Sequence, residues 1–400
     1  MPTNVKENGF ESSIVSWLVQ HNGYEQGSNA DYNKEIAMDE TRLFRFLNTT
    51  QADKMKQLRL ENDPLEKEKF LQRLDQSLHT NGVIDLLRKG FRYKHLVLDV
   101  FYVRPSPGNE TAAKLYAQNI FSVTRQLQYS RKNPLLALDV CLFLNGLPIV
   151  TMELKNQLTK QNAADAVKQY KDERTPDEVL FSFKWCIVHF AVDDNEVRMC
   201  TELKGQKSWF LPFNKGYNDG AGNPPNPDGM KTDYLWKEIL RKDDFSNIIE
   251  NYVQIICDED EETHKKSYKQ IFPRYHQLQL VTSLLADAKR DGVGKRYLIQ
   301  HSAGSGKSNS IAWLAHQLVT LKDATDHNIF DTVIVVTDRV NLDKQIRNTI
   351  RQFMQVSSTV GWAKDSSELG TLLEKGTKII ITIVHKFQFI LEDISKIGRA

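Results

Sequence analysis

Asp139, Glu153 and Lys155 are residue types that together cut phosphodiester bonds with a divalent metal. Two carboxylates hold Mg²⁺, the metal activates water and stabilises the pentavalent charge, and a lysine positions or activates the nucleophile. A second chemistry is written in His301–Ser308, HSAGSGKS. Small residues there let backbone N–H groups converge on phosphates, and the following helix adds its positive N-terminal dipole. In this reading Gly304, Ser305 and Gly306 form the cradle. Lys307 reaches the β and γ phosphates of ATP, and Ser308 places a hydroxyl on Mg²⁺. His301 replaces the first glycine of Gly-x-x-x-x-Gly-Lys-Ser/Thr, leaving a Gly-x-Gly-Lys core at Gly304–Lys307.

The acidic residues need a β-hairpin to bring them together. Leu138–Asn156, LDVCLFLNGLPIVTMELKN, reads as two strands around Asn145-Gly146. Glu153 and Lys155 are two apart, so they share one face of their strand. A plain two-residue turn would pair position 138 with 153 and leave Asp139 on the opposite face. The site therefore requires a bulge or an odd loop, for example with 139 opposite 153, and Pro148 makes a regular hairpin less comfortable. Glu202-Leu203-Lys204 repeats the same letters, but Cys186 should lie roughly opposite Glu202, so that copy reads as structural. Glu11, on a first helix FESSIVSWLVQHNGY, is a further candidate acid. Gln169 and Tyr170, on the helix NAADAVKQYKDER, are placed to steady the site or a phosphate. The other readings are a helix N-terminal charge and surface helix residues.

Around the phosphate loop, Arg296–Gln300 is a strand candidate and about Lys307–Leu321 a helix. Thr332–Thr337 and Lys378–Ile383 are β-branched runs suited to a parallel sheet covered on both faces. Tyr275 and Gln277, in PRYHQLQLV, either contact the adenine base or stand at an exposed helix start after Pro273. Arg339, Gln345, His385 and Lys386 follow strands, where ligand-facing groups of open α/β sheets collect. They face a DNA backbone or are solvated.

A chain of 400 residues exceeds what one core usually spans, about 250–300 residues. With 53 Lys plus Arg against 51 Asp plus Glu, it is not a basic nucleic-acid-coating protein, although a local basic groove stays open. Cys141, Cys186, Cys200 and Cys257 show neither metal spacing nor a disulfide framework. No secretory signal or membrane-spanning run is visible, so the cytoplasm is the expected compartment. The Gly-, Pro- and Asn-rich stretch Phe213–Tyr234 predicts a long ordered excursion. A helix is expected over about Leu235–Ile256, then a solvated acidic linker at Asp258–Glu262. The expected domains are residues 1–260 and 261–400, with the boundary near 258–268.

Taken together, the sequence resembles the restriction subunit, usually called HsdR, of type I restriction–modification enzymes. The resemblance covers nearly the whole chain: FESSIV, VTRQLQYS, NGLPIVTMELKN, DAVKQY, VHFAVDDNEVRM, FLPFNKG with GAGNPPNP, PRYHQ and the phosphate loop. It implies an α/β architecture in which a PD-(D/E)xK-type nuclease domain, a mixed central sheet flanked by helices, precedes a RecA-like superfamily 2 motor lobe. It also implies cleavage of duplex DNA at a distance, driven by ATP-dependent translocation, with separate modification and specificity subunits. Asp139, Glu153 and Lys155 become the nuclease triad, and Lys307 and Ser308 the ATP and Mg²⁺ contacts. The family's helix carries a glutamine four residues before a tyrosine. Here Gln169 directly precedes Tyr170, leaving open which residue takes the glutamine's part.

No Asp-Glu pair after an apolar strand, arginine finger or second motor lobe follows before Ala400. The 400 residues alone are therefore expected not to translocate DNA. Two rivals make different forecasts. A helicase-like ATP-binding protein whose first half only binds DNA would not nick DNA with Mg²⁺, and an interaction fragment would fold with neither activity.

Overall fold

The computed structural model describes residues 7–105, 108–156, 160–259, 263–323, 325–338, 340–352, 360–363 and 365–386. They pack as two units. One runs to Ile255 and takes back Tyr268–Phe272; the other holds Ile256–Ser267 and the chain from Pro273.

The first unit is built on a mixed seven-stranded sheet whose spatial order follows the chain. Its strands are β1 (Glu25–Gln26), β2 (Phe121–Leu127), β3 (Leu138–Leu144), β4 (Leu147–Leu154), β5 (Val188–Val192), β6 (Val197–Cys200) and β7 (Leu211–Pro212). The β1/β2 and β4/β5 pairs are parallel and the others antiparallel. Helix α1 (Glu7–Gln20) packs against β2, and α2 (Ala163–Glu173) forms the crossover from β4 to β5. All eight residues of β4 are buried, the pattern of a central strand covered on both faces.

Asn145 and Gly146 both adopt positive φ, 50° and 83°, as the tight two-residue hairpin turn demands. Leu144 pairs with Leu147 and Phe143 with Pro148. The register then shifts, so that Leu142 faces Val150 and Val140 faces Met152. Pro148 has no N–H to give the ladder, and Ile149 is the extra residue of the bulge. One step on, Asp139 lies opposite Glu153, the alignment that the sequence required of a site.

A Cβ on Gly146 would lie 2.3 Å from the Asp39 carbonyl oxygen and 2.8 Å from the Leu43 nitrogen. Gly146→Ala is therefore expected to destabilise the first unit by roughly 2–4 kcal/mol, read from the urea midpoint.

Phe213–Tyr234 is the predicted excursion, tied down by its own polar side chains. Asn223 donates to the Asn195 carbonyl (2.9 Å), Thr232 to that of Asp193 (2.7 Å), and the Tyr234 hydroxyl to that of Phe213 (2.6 Å). The helix expected over Leu235–Ile256 is shorter and broken. A wide turn at Leu235–Ile239 leads into a helix at Lys242–Asn251, and Gln254–Glu259 (β8) is a strand. The β-branched Ile255 and Ile256 favour extension, and β8 pairs with β9 (Lys266–Ile271). Asp258 and Glu259 thus end a ribbon strand rather than begin a linker; residues 260–262 lie outside those described.

In the second unit α3 (Tyr275–Asp291) precedes the phosphate loop and α4 (Lys307–Val319) follows it. A parallel sheet orders β10 (Val333–Thr337), β12 (Ile379–Ile383) and β11 (Val360–Trp362), with β12 central. Helix α5 (Val340–Gln352) packs on β10 and β12. Two expectations are corrected. Arg296–Gln300 is not a strand: no described strand supplies hydrogen bonds beside it, and Leu298 is 98% exposed. Among the described residues, strand β10 is covered on one face, and Ile334 and Val336 on the other are exposed.

Candidate functional site

The bulged hairpin gathers the acids of the first unit. Asp139, half-buried, accepts the Leu154 N–H on Oδ2 at 2.7 Å and the Gln126 amide on Oδ1 at 3.3 Å. Glu153 is 0% exposed. Its Oε1 accepts a 2.6 Å charge-assisted bond from the Arg174 Nε–H, while Oε2 has no hydrogen-bond partner among the described residues. Burial, reinforced by the Asp139 charge, pushes the Glu153 carboxyl up to about 8 against the opposing pull of Arg174 and Lys155. Lys155 continues the β4 ladder through its N–H to the Val192 carbonyl, 2.9 Å, and its side chain is nearly buried on the Glu153 face.

Glu11 is not a solvated helix charge. It is 2% exposed, its Oε1 is 2.7 Å from Arg125 Nε, and its Oε2 accepts from the Gln126 amide at 2.7 Å. Burial raises its pKa, and Gln126 and Arg125 work against the rise.

Tyr170 is fully buried and not a surface residue. Its hydroxyl lies 2.8 Å from Thr151 Oγ1, which in turn lies 2.7 Å from His189 Nδ1. Burial drives His189 down to about 3, so it stays neutral. Tyr170 therefore braces the strand that carries Glu153. Gln169 is half-buried, and its amide oxygen has no hydrogen-bond partner among the described residues. Glu202 and Lys204 bridge each other at 2.7 Å.

Sequence reasoning missed two residues here. Arg174, at the end of α2, reads as one more solvated charge in KDER, yet it is buried and also donates to the Tyr129 hydroxyl and the Ala137 carbonyl, both 2.9 Å. Gln126 carried no role, although its segment VTRQLQYS drew notice. Its φ of 47° has no signal in the letters.

Among the described residues no three His, Cys, Asp or Glu side chains form a metal cluster. Mg²⁺ asks for less, commonly one or two carboxylates with waters completing the octahedron. Asp139 and Glu153, with the orphaned Oε2, fit that demand.

In the second unit Gly304 and Gly306 take positive φ (72° and 83°), and the backbone turns into α4 at Lys307. The Lys307 ammonium donates to the loop's own carbonyls, His301 at 3.1 Å and Ser302 at 2.9 Å. Ser305 is buried, and Ser308 stands half-buried in the first turn of α4. Tyr275 and Gln277 are buried, not an exposed helix start. Gln277 Oε1 accepts the Arg274 N–H at 2.9 Å, and Nε2 donates to the carbonyls of Ser305 (3.2 Å) and Gly306 (2.9 Å). His276, which drew no notice in the sequence, lies 3.2 Å from the Ser305 carbonyl and packs edge-on against His301. His385 is exposed in the turn Val384–Lys386. Arg339 and the side chains of Gln345 and Lys386 lie outside the described residues. No described helix is long and apolar enough to cross a membrane.

A family profile described as Type I restriction enzyme R protein N terminus (HSDR_N) matches residues 4–208, just over half of the 400. A second, SWI2/SNF2 ATPase, matches residues 276–398. The Type I restriction enzyme HindI endonuclease subunit of Haemophilus influenzae is 26% identical over 284 residues, 68% of this chain and 25% of its own length. The Type I restriction enzyme SauMSSORF170P endonuclease subunit of Staphylococcus aureus is 24% identical over 395 residues, 95% of this chain and 37% of its own length. The chain thus spans only about a quarter to two fifths of these relatives. With its first half matched by the R-protein N terminus and an ATPase domain behind it, the chain belongs to the family of type I restriction enzyme endonuclease subunits.

Proposed function

We propose that this chain is the cutting and nucleotide-binding part of the restriction subunit of a type I restriction–modification enzyme. It acts in the cytoplasm on duplex DNA, with modification and specificity subunits, and couples Mg²⁺-dependent cleavage to ATP-driven translocation. On this reading the first unit is of the PD-(D/E)xK type and the second is the first RecA-like lobe of a superfamily 2 motor. The observation that carries the reading is the bulge at Ile149. It sets Asp139 opposite Glu153, with Lys155 next along the same face.

Asp139 and Glu153 would hold the metal, Glu153 through the oxygen that Arg174 leaves free. A bound Mg²⁺ supplies water activation and neutralises charge building at phosphorus. Lys155, whose charge is felt at Glu153, orients the attacking water and the scissile phosphate. Glu11 lies beside Asp139 through the shared Gln126 amide, and Gln169 offers an amide oxygen that is without a partner among the described residues. In the second unit Lys307, which donates to two loop carbonyls, would hold the β and γ phosphates of ATP, and Ser308 would hold that nucleotide's Mg²⁺. Gln277 braces the cradle through the Ser305 and Gly306 carbonyls, so adenine recognition by Gln277 and Tyr275 would exchange those bonds.

The test is cleavage of duplex DNA by the complete complex with Mg²⁺, with and without ATP, comparing wild type with Lys155→Ala. The variant is expected to cut at least about 10²-fold more slowly while its ATPase rate is kept. Equal cutting by both proteins, or no Mg²⁺-dependent cutting by wild type, would remove the nuclease assignment.

A further inference from the structure

Gln126 sits inside strand β2 with φ at 47°, the left-handed region that a residue with a side chain enters only at a cost. Its neighbours keep the ladder to β3, Arg125 facing Val140 and Leu127 facing Leu138. The consequence is local. Successive side chains of a regular strand point to opposite faces, yet Arg125 and Gln126 both reach Glu11, each at 2.7 Å. The reversed φ breaks the alternation. The break is itself held: Asn29 donates to the Gln126 carbonyl at 3.0 Å and accepts the Gln128 N–H at 2.7 Å, clipping the chain on either side. What the distortion gains is one amide nitrogen shared between two carboxylates, Glu11 Oε2 and Asp139 Oδ1.

We propose that Gln126 is a positioning residue of the acidic site, holding Glu11 and Asp139 side by side so that Asp139 meets a divalent cation already oriented. The proposal rests on the reading of Asp139 and Glu153 as metal ligands. Like charges on the buried Glu11 and the part-buried Asp139 repel, and the amide donates to both without adding a charge that would compete with the cation. Outer groups that orient a ligand carboxylate typically govern metal affinity by about 10–100-fold.

Gln126→Gly separates the amide from the backbone, because glycine accepts positive φ without strain. In the complete complex, Mg²⁺ and Ca²⁺ affinity are measured by calorimetry, and cutting is followed against Mg²⁺ concentration. Glu153→Gln serves as the reference for loss of the site's metal. Gln126→Gly is expected to keep or raise the melting temperature of wild type. It should also weaken cation binding about 10–100-fold and shift the Mg²⁺ dependence by the same factor, with less change in the saturated rate. Gln126→Ala should lose the same affinity and melt lower than Gln126→Gly. Wild-type affinity and Mg²⁺ dependence in Gln126→Gly would overturn the proposal and leave Gln126 a backbone feature. If Glu153→Gln binds and cuts like wild type, the metal site itself falls, and this proposal with it.

Discussion

Replacing Glu153 by glutamine is expected to reduce Mg²⁺-dependent cutting by roughly 10³-fold or more without unfolding the protein. The two effects separate because the charge of Glu153 serves the metal and not the fold. Its carboxyl is fully buried and its pKa stands near 8, so the fold prefers it neutral. The sign follows from linkage. A carboxyl whose folded pKa lies above its unfolded value adds stability below the unfolded pKa, and that contribution is lost as pH rises through the folded one. Glutamine has the same shape and no titration, and its oxygen still accepts the Arg174 N–H. Without divalent cation, the variant and wild type should therefore melt together near about pH 5, and the variant should melt higher near about pH 8. Adding Mg²⁺ should raise the wild-type midpoint and leave the variant unmoved, since a ligand stabilises only the state that binds it. A variant that melts well below wild type at the higher pH would show that the carboxylate holds the fold.

Much of this site was legible in the letters, and the limits of that legibility are physical. Glu153 and Lys155 share a face because the strand period is two, and an Asn-Gly pair between apolar runs announces the turn. Pro148 even signalled where the ladder would break. The alignment of Asp139 with Glu153 could only be stated as a condition, because the bulge depends on how Pro148 and Ile149 meet Phe143 and Leu142 in three dimensions. Arg174 and Gln126 were out of reach for another reason. An arginine at the end of a charged helix looks solvated until the Tyr129 and Ala137 groups close around it, and no local rule forecasts positive φ at a glutamine in a strand. The phosphate loop was plain because its chemistry is nearly all backbone. The strand expected before it was not found, since a short apolar run becomes a strand only when a neighbour completes its hydrogen bonds.

Arg174→Met is expected to cost about 3–5 kcal/mol above about pH 8, where Glu153 of the wild type is ionised, the largest stability loss of any substitution at this site. Arg174 commits its guanidinium to three acceptors, the buried Glu153 carboxylate and Tyr129 hydroxyl and the part-buried Ala137 carbonyl. Its own pKa is driven further up by Glu153, so it remains charged, and the pair stands or falls together. Methionine fills similar space but offers no donor, leaving a carboxyl inside the protein without its cation. That carboxyl can escape only by holding a proton, which sets a pH dependence opposite to ordinary acid denaturation. The Glu153 pKa climbs beyond its already raised value, so the penalty should be small near about pH 5 and grow steadily past about pH 8. The double variant Arg174→Met/Glu153→Gln decides where the loss resides. If it comes from the stranded carboxylate, the second change should restore most of the urea midpoint at high pH, giving a strongly non-additive cycle. Additive losses would instead assign the cost to the Tyr129 and Ala137 bonds, and Arg174 would then hold the core rather than aim Glu153.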